Sequence, residues 1–160
     1  MVAILKPKFP KITESKINHK SAKQHRLARF VREETVALMF NLNPEEIYRI
    51  ECWRHVVYVH GKGVSRFVSY ADFPPILGVT PPNKQDFPYW RRRWYKSAKS
   101  HYAPEFWTKF YIQQFKQASS AAQLLEWGQL LALFKYCLSQ AALQQLREVY
   151  SYERELWQNF

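Results

Sequence analysis

Aspartate is nearly missing from this sequence: Asp72 and Asp86 are the only two in 160 residues. A metal-dependent nuclease needs several carboxylates converging on a divalent ion, so that chemistry has little to draw on. Cysteine is as scarce. Cys52 and Cys137 stand far apart and neither belongs to a Cys-x-x-Cys pair. They read as two buried, reduced thiols of a cytoplasmic protein, with no disulfide framework and no metal or other cofactor. Glycine numbers four, two of them in His60-Gly61-Lys62-Gly63. That segment lacks the spacing and the following helix of a phosphate-binding Walker loop. Long apolar runs are also missing. The richest stretch, residues 124–138, is broken by Glu126, Gln129 and Lys135, and residues 2–5 are too short for the apolar segment of a signal peptide. No membrane span or leader is expected.

What the sequence has in excess is positive charge, +11 in all. Its placement is uneven. Residues 1–32 carry +8, residues 33–89 carry −2, residues 90–101 carry +5, and the remainder is neutral. Charge gathered in two blocks is the footprint of a polyanionic partner, whereas an evenly basic surface would speak only for solubility.

Residues 1–20 read as a basic arm, since Lys6, Pro7, Lys8, Pro10 and Lys11 offer no apolar period. From about Ser21 the spacing of Leu27, Phe30, Val31, Leu38 and Met39 predicts one helix ending at Asn41. Asn43-Pro44-Glu45-Glu46 caps a short helical turn. Residues 47–59 and 64–70 are β-branched and aromatic. They flank the glycine-containing tip, which predicts a hairpin or small antiparallel sheet covered on both faces. Residues 72–88 hold Pro74, Pro75, Pro81, Pro82 and Pro88 and read as a connector between an α/β part and a helical part. Helices follow over about 88–100, from Pro104-Glu105 with Trp107, Phe110, Tyr111, Gln114 and Phe115 as its stripe, and over 120–138 and 140–157. Ser120 and Gln123 form a capping box. The helix over 120–138 is apolar nearly all round, so it is expected to be central or to dock a partner, including a second copy. The fold class is therefore α+β: 1–20 an arm and 21–160 a single domain with a helical C-terminal half.

The strongest functional signal is the segment Trp90-Arg91-Arg92-Arg93-Trp94-Tyr95-Lys96 with Lys99. On a helix, Arg92, Lys96 and Lys99 share a face while Trp90 and Trp94 share another. No acid lies within the segment, so phosphates would supply the missing partners, with release of counterions. A solvated basic face over core tryptophans is the plainer reading, and an interfacial membrane helix a third. The second signal is the N-terminal run that ends in Lys20, Lys23, Arg26 and Arg29. Lys62 with Arg66 at the hairpin tip is weaker and reads first as an ordinary turn.

Catalytic constellations are thin. His55 and His60 have opposite parity on a regular strand and so do not face one site. A metal-free ribonuclease built on His60 lacks a second acid–base group. Helix-turn-helix, zinc-finger and ribonucleoprotein motifs are absent as written. The sequence thus points to non-catalytic nucleic-acid binding, DNA ahead of RNA, through Arg91, Arg92, Arg93, Lys96, Lys99, Lys62, Arg66, Lys20, Lys23, Arg26 and Arg29. A protein-interaction subunit docking through residues 120–138 is the alternative, and an RNA-acting enzyme the third.

Overall fold

A computed structural model describes residues 15–98 and 101–159. Four strands form one sheet in the order β1 (Ile17–His19), β2 (Ile47–Cys52), β3 (Val57–Gly61) and β4 (Val64–Val68). β2, β3 and β4 are successive antiparallel neighbours, and β1 lies parallel to β2. Among the described residues five α-helices accompany it: α1 (Glu33–Phe40), α2 (Phe87–Ala98), α3 (Glu105–Gln117), α4 (Ala121–Ala132) and α5 (Gln140–Gln158). The class is α+β with a helical C-terminal half, as the residue pattern indicates.

Several expectations change in detail. The last residues of the expected arm are a strand: Ile17 pairs with Ile50, and Lys20 N–H donates to the Cys52 carbonyl at 2.8 Å. The expected helix from Ser21 is two pieces, a 3-10 helix Arg26–Phe30 and α1. Val31 and Arg32 between them are extended. Leu27, Phe30 and Val36 are all buried, so apolar spacing alone does not register the break. Asn41 does end α1, in the left-handed conformation that asparagine tolerates.

The expected long strand over 47–59 is two strands joined by a turn at residues 53–56. The turn and an irregularity at Tyr48 reset the parity. Ile47, Ile50, Cys52, Val57, Val59 and Val68 face the core, while Tyr48, Arg49, Tyr58 and Phe67 face outward. Among the described residues the sheet is therefore covered on one face only, whereas cover on both faces is expected from the residue pattern. The single helix expected over 120–138 stops at Ala132 and gives way to a 3-10 turn at Lys135–Cys137. Leu124, Trp127 and Leu130 are buried, but Leu125 and Leu133 are about half exposed. Gln123 N–H donates to Ser120 Oγ at 3.0 Å, and Gln123 Oε1 reaches one residue further than a standard capping box, to Ser119 N–H at 2.7 Å.

The proline-rich connector is stitched into the core rather than looped outside it. Trp90 Nε1–H donates to the Phe73 carbonyl at 3.1 Å, Trp107 Nε1–H to the Asp72 carbonyl at 3.0 Å, and Tyr111 O–H to the Pro75 carbonyl at 2.6 Å. Prolines leave carbonyls without ladder partners, and these aromatic donors satisfy them. Trp107 also stands edge-on to Trp90, Trp94 and Phe134. The sheet side and the helical side thus share one core.

A candidate nucleic-acid interface

The two basic blocks, distant in sequence, meet on one cleft. Its larger section, about 770 Å³, is lined by residues 23–26 and Arg29, by Arg54 and His55 of the β2–β3 turn, and by Thr80, Asn83 and Tyr89. An adjoining section shares His25, His55 and Tyr89 and adds Ser69, Tyr70, Arg92, Arg93 and Lys96. No Asp or Glu is among the described residues that line either section.

α2 supplies its half as its period dictates. Trp90 and Trp94 are fully buried, while Arg92 and Lys96 point out. The Arg92 guanidinium lies 5.4 Å from the Tyr89 ring centre and Arg91 lies over Phe87, so Arg91 turns away from the cleft. Lys99 lies outside the described residues, as do the arm's first fourteen.

Two of the expected phosphate contacts are tied up in structural pairs. Arg93 Nε–H donates to Asp72 Oδ1 at 3.1 Å. Arg29 forks onto Asp86, and also donates to the carbonyls of Arg26, Thr80 and Pro81. The basic segment has no acid within it, yet folding supplies one to Arg93. The partner is 21 residues away and adjacent only after folding. Both aspartates of the chain are engaged in this way. What remains facing the cleft is Lys23, Arg26, Arg54, Arg92 and Lys96. Of these, Arg26 is 3.9 Å from Asp86, already paired with Arg29, and the other four have no ion-pair partner among the described residues.

Lys62, Arg66 and Lys20 do not join them. Lys62 sits at the far end of the sheet from the 53–56 turn and pairs with Glu46 at 3.5 Å. Arg66 is on the edge strand β4, opposite Val59. Lys20 follows β1 at the cleft end of the sheet but is not part of the wall.

The residue pattern does not reveal His25, Arg54, His55 or Tyr89 as part of the site. Parity places His55 on a strand, although it lies in a turn, which brings it toward His25. His25 stacks on Tyr70 with centroids 4.3 Å apart and stands edge-on to Tyr89. Its Nδ1 accepts the Leu27 N–H at 3.0 Å and caps the 3-10 helix. In the neutral ring the proton is therefore on Nε2. Burial, followed by the nearby His55 and Arg26 charges, holds the imidazole below its ordinary pKa. His25 is thus a neutral group whose one lone pair is already taken, which leaves it a hydrogen-bond donor and not a base.

Among the described residues no cluster of three His, Cys, Asp or Glu side chains could hold a metal, both cysteines are buried free thiols, and no helix is long and apolar enough to cross a membrane. Compared with known proteins, this chain matches no family model, no curated protein and no solved structure.

Proposed function

We propose that this protein binds nucleic acid without catalysis, holding the phosphate backbone in the basic cleft. One observation carries the reading: cations from the N-terminal segment, the β2–β3 turn and α2 converge on one concavity whose described wall has no acid. Clustering cations on one concavity costs self-repulsion, which phosphates relieve while condensed counterions return to solvent. Arginine also forks onto phosphate oxygens, so three of the five cleft cations are suited to bidentate contact. Any contribution of Lys99 and of the arm adds to the same charge.

Fluorescence anisotropy with labelled oligonucleotides tests this. Replacing Arg26, Arg92 and Lys96 together by Glu should abolish binding at moderate salt. Replacing Lys62 and Arg66 by Glu, an equal change in charge per residue on the β3–β4 hairpin and outside the cleft wall, should leave most of it. Equal losses from both variants would mean that net charge and not the cleft drives association.

A second reading keeps one specific observation in its favour. Leu125 of α4 is 52% exposed and lines an apolar recess of about 370 Å³ between α4 and α5. This is where a protein partner or second copy would dock.

A further inference from the structure

The outward face of the sheet carries aromatic rings that the core does not use. Phe67 is 65% exposed and Tyr48 53%. Phe67 lies against Tyr58 with ring centres 5.2 Å apart, and Tyr48 stands edge-on to His60 at the same separation. The Arg49 guanidinium is 5.8 Å from the Tyr58 ring. Arg49 and Glu51, the charges within this group, pair at 3.5 Å and cancel. The face is thus nearly neutral and rich in π surface.

Its position matters as much as its composition. Tyr58 and Phe67 form the outward cross-strand pair nearest the end of the sheet that borders the cleft; beyond it lies the core-facing pair Val57 and Val68. Trp53, also exposed, precedes Arg54 and His55, which line the cleft. Ser69 and Tyr70, just after β4, line it too. An acid-free cationic cleft and a neutral aromatic platform therefore meet at one end of the sheet. A duplex can use only the first, because its bases are stacked inside. A single strand can use both, laying phosphates in the cleft and bases on the rings.

We infer that the protein binds single-stranded nucleic acid, with bases stacked on Tyr48, Tyr58 and Phe67 of the open sheet face while the backbone runs through the cleft. This rests on the cleft reading above and narrows its ligand. Stacking surfaces accept any base, so tolerance of sequence follows.

The test uses the full chain with fluorescent oligothymidylate and oligouridylate of roughly 15 nucleotides and a duplex of equal length. The variant Tyr48→Leu with Phe67→Leu keeps apolar bulk and removes two exposed rings. Affinity for both single strands should fall about tenfold or more, with the salt dependence unchanged and duplex binding unaffected. In the unaltered protein, iodouracil-substituted strands should photocrosslink to Trp53, Tyr48, Tyr58 or Phe67. Unchanged single-strand affinity, or crosslinks confined to residues 23–29 and 89–96, would overturn the inference. So would self-association that the double variant abolishes without touching single-strand binding, since a second copy would then occupy the face. If the Arg26, Arg92 and Lys96 reversal also leaves binding intact, the cleft reading has failed first. If that reversal abolishes binding while the ring variant does nothing, the cleft reading stands and this inference alone falls.

Discussion

Arg29 grips Asp86 through two hydrogen bonds, Nη2 to Oδ2 at 2.5 Å and Nη1 to Oδ1 at 3.2 Å, and the carboxylate is fully buried. Asp86 Oδ2 also accepts the Asn83 N–H at 2.8 Å. The pair therefore ties the 3-10 helix at the N-terminal side to the connector that leads into α2, and so sets the two walls of the cleft against each other. Removing one partner strands the other. Asp86→Ala leaves two arginines facing an empty site, and Arg29→Ala leaves a buried carboxylate. Each should cost about 3 kcal/mol or more in chemical denaturation. An Arg29 variant of unchanged stability would mean that this arginine is free for ligand after all.

Phe134 and Leu131 separate under the same kind of measurement. Phe134 is 2% exposed and its ring meets Trp107 and Tyr111, so Phe134→Ala should destabilise by about 3–5 kcal/mol. Leu131 is only partly buried beside the apolar recess, so Leu131→Ala should cost clearly less. Equal large losses would mean that the recess is closed in solution, as docking of a second copy would do. Sedimentation across protein concentrations, with Leu125→Glu as the disrupting variant, decides between a closed monomer and a dimer.

His25 makes stability depend on pH in a definite direction. Its folded pKa lies below the ordinary 6.5, so the unfolded chain takes up the proton first. The stabilising contribution is present above about pH 6.5 and is lost as the pH falls through the folded value. His25→Asn keeps an acceptor for the Leu27 N–H and removes the titration. The fall in Tm between about pH 7.5 and pH 5 should be smaller in this variant than in the unaltered protein. Identical pH profiles would show that the imidazole titrates alike in both states.

The readable part of this sequence is what periodicity governs. Trp90 and Trp94 turn inward and Arg92 and Lys96 outward because residues four apart share a helix face, and that needs no knowledge of the rest. Asn41 and Ser120 stop and start helices by local chemistry alone. Ion pairing is not readable in the same way. Arg93 meets Asp72 and Arg29 meets Asp86 across 21 and 57 residues, and no local rule couples such positions. Strand parity fails for a related reason. The turn at residues 53–56 has no glycine or proline to mark it, so the residue pattern runs Arg54 and His55 into a strand and hides their place in the cleft. The scarcity of aspartate, a sign against metal chemistry, has a structural counterpart: both aspartates neutralise arginines beneath the cleft.

The salt dependence of binding counts the phosphates held in the cleft. With Lys23, Arg26, Arg54, Arg92 and Lys96 all on phosphates, log affinity against log salt should fall with a slope of roughly −3.5 on a single strand, or −4.5 on a duplex. Replacing Arg26, Arg92 and Lys96 by Ala should flatten that slope by roughly 2 to 3, or about 0.7–0.9 for each phosphate no longer neutralised, while the hairpin control at Lys62 and Arg66 leaves it unchanged. A slope near zero in the unaltered protein, or one that the hairpin control flattens as much as the cleft variant does, would mean that the cleft does not hold the phosphates.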